Sequence, residues 1–309
     1  MTRLRLAGAV LLAIFGAGAQ AQQVADLSYR PPLTAPAYRE DAGPRIAIDS
    51  GHYNFHTADG RYQPFAELLR RDGFRVGGSG AALSAQSLAG IDVLVIANAL
   101  NQVNQRDWRL PNPAAFTEAE IAALREWVDN GGSLLLIADH MPFAGAATTL
   151  ARAFGVEFSN GFAGRSETDV GPIDFTLEHG LAHSAVTEGR NASERISHVI
   201  SFTGSAFKPP AGAIPVMTFA PGYVSLLAKA PFRFDASTRR VPLAGWSQGA
   251  LLTAGKGRVA VFGEAGMFTA QLAGPQARPF GMNAPDADQN AQFLLNVAHW
   301  LARTPGIEP

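Results

Sequence analysis

The chain has 309 residues, of which 47% are hydrophobic and 17% are charged, as in globular proteins with a sizeable core. Its formal net charge of −1 provides no basic field that would recruit nucleic acid, so no nucleic-acid partner is expected. The chain contains no cysteine, which excludes disulfides, thiolate metal ligands and a cysteine nucleophile together.

Residues 1–21 have the pattern of a secretory signal peptide. A short basic start precedes a run of small apolar residues that ends in Ala19-Gln20-Ala21, an A-x-A cleavage signal. The apolar run of about 14 residues is shorter than the roughly 20 that span a bilayer. We therefore expect a periplasmic or secreted protein that begins near Gln22 and has no stable membrane insertion after signal cleavage. An uncleaved anchor is the alternative.

Residues 22–43 are rich in proline and alanine, which predicts an extended leader on the domain surface. After the leader, strands and helices are predicted to alternate as far as residue 154. Short apolar runs predict strands at 45–48, 74–76, 91–98 and 133–138. Helical spacing of apolar residues predicts helices at 62–72, 117–130 and 146–154. This alternation implies a parallel sheet with right-handed crossovers.

The second half of the chain has weaker patterns. Strands are predicted at 196–202 and 223–228. The runs 246–253 and 258–263 flank Gly255-Lys256-Gly257, which predicts a hairpin. Residues 288–302 predict a closing amphipathic helix. We interpret residues 44–303 as a single α/β domain and residues 304–309 as a tail.

Three of the predicted strands end in side chains that can perform chemistry. The carboxyl ends of parallel strands meet at one edge of a sheet, where ligands bind in open α/β folds. We therefore expect these side chains to share a cleft. The candidate catalytic residues are Asp49, His52, His140 and Glu264. The candidate ligand-binding residues are Asn54, His56, Asn98, Asp139 and His183.

The candidate catalytic residues also suggest a metal. Imidazoles and carboxylates together suit a divalent metal such as zinc, which would activate a bound water for hydrolysis. Their spacing matches no diagnostic metal motif, so the cofactor stays open. Each residue also has a structural explanation, since an aspartate after a strand often caps the next helix and a lone histidine is often only hydrogen-bonded.

Three blocks of sequence resemble the class I glutamine amidotransferase-like superfamily, and within it the family labelled domain of unknown function 4350. The blocks are DSGHYNFHT at 49–57, GGSLLLIADH at 131–140 and GKGRVAVFGE at 255–264. The resemblance covers about residues 44–303. It implies a flavodoxin-like three-layer sandwich with a mostly parallel sheet, a β-rich insertion and a C-terminal hairpin.

The chain departs from the superfamily at the position of its nucleophile. In glutamine amidotransferases the sharp turn after the strand at 133–138 carries a catalytic cysteine, whereas here the turn holds Asp139-His140-Met141. Cysteine-dependent amidotransferase chemistry is therefore excluded. The resemblance implies the fold and the position of a cleft, but not the reaction.

A second motif, Gly245-Trp246-Ser247-Gln248-Gly249, matches the G-x-S-x-G nucleophile elbow. That elbow requires a helix after the serine, whereas here a predicted strand follows, so we place Ser247 in a hairpin. His179 and His183 have metal-compatible spacing, but Gly180 between them argues against a regular helix. Of the two, His183 is the better candidate for a loop over the cleft, and a solvated loop histidine without a role in the cleft is the favoured alternative.

Two classes of function remain open. The first is a hydrolase, with or without a metal, that acts on a small polar substrate such as a carbohydrate or an amide. Asp49 or Glu264 would then be the general base, with His52 and His140 as metal ligands or acid–base groups. The alternative is a non-catalytic module that binds a carbohydrate or cell-wall fragment in the same cleft. A cleft lined by aromatic residues without clustered acids would favour this binding module.

Overall fold

A mixed nine-stranded sheet organises residues 23–307, the part of the chain that the computed structural model describes. Its helices are α1 Gln63–Arg71, α2 Ala85–Leu88, α3 Glu118–Asp129, α4 Phe143–Ala153, α5 Ala185–Glu188 and α6 Asn290–Leu301. The first strands are β1 Gln23–Ala25, β2 Arg45–Asp49, β3 Arg75–Ser79, β4 Val93–Ala97, β5 Ser133–Ile137, β6 Glu157–Ser159, β7 Phe162–Gly164, β8 Ile173–Thr176 and β9 His198–Ser201. The later strands are β10 Ala206–Lys208, β11 Ile214–Thr218, β12 Val224–Leu227, β13 Arg239–Pro242, β14 Ser247–Ala254, β15 Gly257–Phe262, β16 Ala270–Ala273 and β17 Arg278–Gly281.

The large sheet has the order β3-β2-β4-β5-β15-β14-β10-β6, and β11 also pairs with β14. Four parallel pairings join β3, β2, β4, β5 and β15. Four antiparallel pairings join β15, β14, β10, β6 and β11. The α/β class is therefore as expected, but a mostly parallel, flavodoxin-like arrangement is not confirmed, because the second half of the chain adds antiparallel strands.

Helices cover both faces of the parallel half of the sheet. Every residue of β4 is buried, as expected for an apolar strand between two helical layers. Ile48 and Val95 pack with α1 and α6 on one face. Ala47 and Leu94 pack with α3 and α4 on the other. Neighbouring strand residues alternate between the two faces, which fixes the register of the sheet.

The helix predictions in the parallel half are confirmed within a few residues. Helix α3 begins with a capping box: Thr117 Oγ1 accepts a hydrogen bond from the Glu120 backbone N–H, and Glu120 Oε2 accepts one from Thr117 N–H at 2.9 Å. Helix α4 begins three residues earlier than predicted, directly after Pro142, which lies at its N-cap. None of the helices within residues 23–307 is long and apolar enough to cross a membrane.

The predicted leader is joined to the rest of the domain by strand pairing and hydrogen bonds. Strand β1 pairs antiparallel with β16. Tyr29 donates its hydroxyl to the Met282 carbonyl at 2.8 Å, and the Ala37 N–H donates to Asp72 Oδ1 at 2.8 Å. The predicted signal peptide, residues 1–21, lies outside the described residues.

The hairpin of the second half has the predicted form. Strands β14 and β15 pair antiparallel, and Gly255 takes a positive φ of 55° in the turn between them. Residues 157–242 contain β6 to β13, of which the sequence predicted only the strands at β9 and β12. Most of the others are three or four residues long, too short for a periodic pattern to show.

Candidate functional site

The parallel strands bring four polar side chains to one edge of the sheet. Asp49 is the last residue of β2, Asn98 directly follows β4, and Asp139 and Glu264 lie two residues beyond β5 and β15. The order β2-β4-β5-β15 places these strand ends next to one another. All four side chains are buried. The expected meeting of strand ends is therefore present, but its polar groups lie below the surface.

His52 is held between two carboxylates. Its Nδ1 lies 2.9 Å from Asp49 Oδ2, and its Nε2 lies 2.9 Å from Glu120 Oε1. Because ionised carboxylates can only accept hydrogen bonds, this geometry favours a ring that donates from both nitrogens, which is the imidazolium. Such a ring has no lone pair left for a metal or for a substrate proton.

Electrostatics favour the ionised forms of His52 and Glu120. Burial lowers the pKa of His52, but the hydrogen bonds and charges of Asp49 and Glu120 outweigh it, so the pKa lies above its usual value. For Glu120, burial raises the pKa, while hydrogen bonds from Thr117 and His52 bring it to about 2. Glu120 also accepts the Leu83 N–H, so its side chain fastens α3 and a loop to the end of β2.

A second hydrogen-bonded chain runs through Asn98. Asn98 Oδ1 accepts the Asp139 N–H at 2.9 Å, and its Nδ2 donates to His56 Nδ1 at 3.3 Å. Burial and the nearby Arg61 charge lower the pKa of His56 to about 3, so the ring is neutral. Asn98 has a positive φ of 50°, a conformation that asparagine tolerates better than most residues. These contacts hold the ends of β4 and β5 together.

Glu264 lies fully buried beside Asp139. Its two carboxyl oxygens accept the N–H groups of Gly266 and Met267, each at 2.6 Å. Burial, with the Asp139 charge, raises the pKa of Glu264 well above its usual value, although the backbone N–H groups oppose this shift. The same two carboxyl groups act on Tyr62, whose pKa is raised mainly by burial.

His140 lies in an aromatic environment. Its Nδ1 donates to the Met141 carbonyl at 2.6 Å, and its ring stacks on Phe162 with centroids 4.4 Å apart. Trp108 and Phe143 approach the ring from other directions. Asp139, the preceding residue, accepts the His140 N–H at 2.7 Å. The turn after β5 is therefore held by hydrogen bonds among its own residues and by contacts with aromatic rings.

The expected metal centre does not fit these positions. Within residues 23–307 no three His, Asp or Glu side chains form a group that could hold a metal ion. Both His52 nitrogens are engaged with carboxylates, and Glu264 binds backbone N–H groups through both of its oxygens. The four metal candidates thus form hydrogen bonds within the protein, and their arrangement does not support a metal-dependent step.

A cleft of about 490 Å³ opens above the ends of β2, β3 and β4. Its wall carries hydroxyl, amide and aromatic groups with a single cation and no acid. The lining residues are Ser50, Gly51, Tyr53, Asn54, Phe55, Arg61, Gly80, Leu100 and Gln105. Of the predicted site residues, only Asn54 is among them. Asp49, His52 and His56 are buried neighbours of the lining residues in the same loop.

Other predicted residues lie outside this cleft. His183 is exposed and pairs with Glu188 at 2.7 Å, so nothing places it over the cleft wall. Ser247 opens strand β14 and precedes no helix, which rules out a nucleophile elbow. His299 is buried and bonds to Asp72, as expected for a structural residue. A larger cleft of about 620 Å³, lined in part by Lys229, Arg239 and Trp246, contains none of the predicted residues.

Sequence reasoning missed the residues that define the cleft and its support. Glu120 has a local explanation as a cap, although it also binds a histidine 68 positions earlier in the chain. Arg61 precedes a predicted helix and belongs to no motif. The aromatic run around Tyr53 and Phe55 was the available signal, because large rings beside a strand end often line a ligand site.

No protein-family model and no curated protein sequence matches this chain. Solved structures do match. The mmIFT52 N-terminal domain aligns with a TM-score of 0.57 and 14% identity over 83% of this chain and 97% of its own. A ThuA-like protein from Bacteroides uniformis ATCC 8492 aligns with a TM-score of 0.47 and 11% identity, over 88% of this chain and 94% of its own.

A further structural neighbour aligns with a lower TM-score. A GMP synthase protein from Thermoplasma acidophilum aligns with a TM-score of 0.39 and 10% identity, over 84% of this chain and 96% of its own. At such identities a likeness concerns the fold alone. The alignment with the mmIFT52 domain indicates a shared fold. In this chain that fold is a mixed α/β domain.

Proposed function

We propose that this protein is a non-catalytic module that binds a small carbohydrate-type ligand, such as a cell-wall fragment, in the cleft above β2, β3 and β4. The observation that supports the proposal is that different kinds of side chain lie at the surface and below it at this edge of the sheet. Hydroxyls, amides and rings line the cleft, while the acids and imidazoles below it are committed to one another.

The cleft wall suits the two kinds of surface that a sugar presents. Tyr53 is 42% exposed, which leaves a ring face for the C–H groups of a sugar. Asn54 and Gln105 supply amide groups beside it, which can donate to and accept from sugar hydroxyls. Small-molecule sites usually have mostly apolar walls, whereas this wall is mostly polar, which suits a ligand rich in hydroxyl groups.

The buried groups are poorly placed for catalysis in the same cleft. A general base must reach the proton that it abstracts, within hydrogen-bond distance or through one water. Asp49 is fully buried and bonded to His52, whose second nitrogen is bonded to Glu120. Freeing either group would break a buried charge network, which is costly.

We also propose that the scaffold is an amidotransferase-like one of the domain of unknown function 4350 type, with a flavodoxin-like parallel half and without the nucleophile. The turn after β5 supports this, since it carries Asp139-His140-Met141 where the cysteine would stand. Neither Asp139 nor His140 has the positive φ of a strained turn. The signal-peptide pattern at residues 1–21 supports export to the periplasm or the medium.

A hydrolase is the second candidate, and one observation favours it. Asp139 and Glu264 follow neighbouring strands, and the pKa of Glu264 is raised by burial and by the Asp139 charge. A buried carboxyl group with a raised pKa can act as a general acid. In a hydrolase of this kind, Asp139 and Glu264 would be the reacting groups in place of His52 and His140.

A binding screen with a matched variant tests the first proposal. Neutral and acidic monosaccharides and cell-wall disaccharides are titrated into the mature protein, and binding is followed by NMR shifts of Tyr53 and Asn54. Tyr53→Ala should weaken binding about tenfold, the cost of losing about 1.4 kcal/mol of ring contact. Val103→Ala changes an apolar residue that is more exposed than Tyr53 and lies outside the cleft wall, and it should leave binding unchanged.

The same screen separates the two candidate functions. Product formation from any of these sugars, abolished by Glu264→Gln but not by Tyr53→Ala, would establish the hydrolase and overturn the binding module. Saturable shifts at Tyr53 and Asn54 without product support the module. A screen in which no sugar binds and none is turned over contradicts the carbohydrate proposal.

A further inference from the structure

Arg61 is the one charged residue in the wall of the cleft. Its guanidinium carbon lies 3.7 Å from the centroid of the Phe55 ring, and its NH1 donates a long bond of 3.4 Å to the Phe55 carbonyl. The stacked ring fixes the plane of the guanidinium, because a cation over an aromatic face is attracted to the ring. The side chain is therefore held in place by contacts that leave its charge uncompensated.

Arg61 has no counter-ion in the part of the chain that the structure describes. No carboxylate forms an ion pair with it, and its Nε is buried without a hydrogen-bond partner. Burial alone lowers its pKa, with no acidic group acting in the other direction. A half-buried cation costs free energy unless a partner compensates it.

Two other partly buried arginines have carboxylate partners, whereas Arg71 and Arg258 donate to backbone carbonyls. Arg190 and Arg125, which are also partly buried, pair with Glu194 and Asp129 within 3 Å. Arg61 instead lines a cleft whose other lining residues are all neutral. Among residues 23–307 the cleft wall thus carries one positive charge and no negative one.

We propose that the ligand of this cleft is an anionic sugar, whose carboxylate or phosphate binds the guanidinium of Arg61 while its ring lies against Tyr53. A guanidinium presents parallel N–H donors that match two oxygens of either group. The inference rests on the proposed binding function and adds the charge of the ligand to it. Carboxylate and phosphate share this chemistry, and the experiment distinguishes them.

Three sugars that differ in one group provide the test. N-Acetylglucosamine is neutral, N-acetylmuramic acid adds a carboxylate to it, and N-acetylglucosamine 6-phosphate adds a phosphate. Each is titrated into the mature protein at constant ionic strength, and affinity is measured by calorimetry. At least one anionic sugar should bind about tenfold more tightly than the neutral sugar, and the tighter one identifies the anionic group.

Variants of Arg61 assign the difference to this side chain. Arg61→Gln should reduce the affinity for the anionic sugar to that for the neutral one, and Arg61→Lys should retain part of the difference, since it keeps the charge but loses the fork. Arg152→Gln removes an equal charge from α4, outside the cleft wall, and should change neither affinity. Equal affinities in the wild type, or a difference that survives Arg61→Gln, would overturn the inference.

Sodium acetate tests the anion site without any sugar. In the wild type it should shift the Arg61 Nε–H resonance to saturation, and chloride at the same ionic strength should not. If the sugars bind equally and acetate has no effect, the anion site is wrong and the binding module stands. If acetate shifts Arg61 but no sugar binds, the anion site stands and the carbohydrate proposal falls.

Discussion

His52 shows how one side chain can look catalytic in sequence and be structural in the fold. Its position after a strand, next to Asp49, is typical of a site residue. In the structure, Glu120 completes a buried carboxylate–imidazolium–carboxylate triad. The sequence could not reveal this pairing, because Glu120 already had a local explanation as the capping residue of α3 and lies far away in the chain.

The triad predicts a pH dependence of stability. The pKa of His52 is raised above 6.5, so its stabilisation is complete below 6.5 and is lost as pH rises through the folded-state value. The pKa of Glu120 is lowered from 4.5 to about 2, so its stabilisation is complete above 4.5 and is lost as pH falls through about 2. Both contributions are therefore complete between 4.5 and 6.5.

Glu120→Gln isolates this charge, because glutamine can still complete the capping box. The variant should lose about 1–3 kcal/mol of unfolding free energy near pH 5.5, and less near pH 9, because the stabilisation from His52 is lost as pH rises through its raised pKa. Urea unfolding at both values measures the difference. His183→Asn, which removes an exposed histidine–glutamate pair, is the control and should cost below about 0.5 kcal/mol. A loss for Glu120→Gln that is the same at both pH values would contradict the imidazolium.

Ser247 gives a prediction in which a substitution at a buried polar residue does not destabilise the protein. Its hydroxyl is buried at the start of β14 and has no hydrogen-bond partner. Replacing an unpartnered buried hydroxyl by hydrogen removes a desolvation cost, so Ser247→Ala should be neutral or slightly stabilising. Ligand binding should also be unchanged. Covalent labelling of Ser247 by a fluorophosphonate probe would show that the serine is a nucleophile after all.

At the scale of elements, long apolar strands and capped helices were predictable, and short polar strands were not. Strand β4 is apolar throughout and β5 is apolar after its first residue, Ser133, and both are predicted from that pattern alone. Strand β13 reads Arg-Arg-Val-Pro and is held by its pairing with β12, a contact that no local pattern reveals. The antiparallel half of the sheet therefore escaped prediction, although its hairpin β14–β15 carried a turn signal.

The leader is an element whose deletion should be costly. Three of its side chains, Tyr29, Leu33 and Tyr38, pack against the main core. A protein that begins at Pro44 should lose at least about 3 kcal/mol of unfolding free energy, since burying one large apolar side chain contributes about 1.5–3 kcal/mol. Guanidinium unfolding measures the loss. A protein that begins at Gln23 is the control and should match the full mature chain; equal stability of both truncations would show that the leader is only a surface segment.

At the scale of the whole molecule, export stays a prediction. The basic start, the apolar run and the A-x-A signal at residues 19–21 motivate it. Mass spectrometry of the protein recovered from its native host should find an N-terminus near Gln22 in the periplasmic or extracellular fraction. An intact Met1 in the cytosolic fraction would contradict export.

The location of the site was predictable from topology, but its surface was not. Parallel strands bring Asp49, Asn98, Asp139 and Glu264 to one edge, as the strand-end rule requires. Which of these groups reaches the surface depends on loops that fold over them. Tyr53 and Arg61 lie on such a loop, and only the three-dimensional arrangement separates the lining residues from the buried ones.

The pairing of β1 with β16 also affects the order in which the molecule folds. Val24 lies opposite Leu272, so this small sheet joins segments from near the two ends of the chain. Closing such a long loop costs more conformational entropy than closing the β14–β15 hairpin, and contacts distant in sequence slow folding. The pairing of β1 with β16 is therefore expected to form last, after the central sheet has assembled. Until then the chain stays open at the end that follows the cleavage signal, where a processing protease would need access.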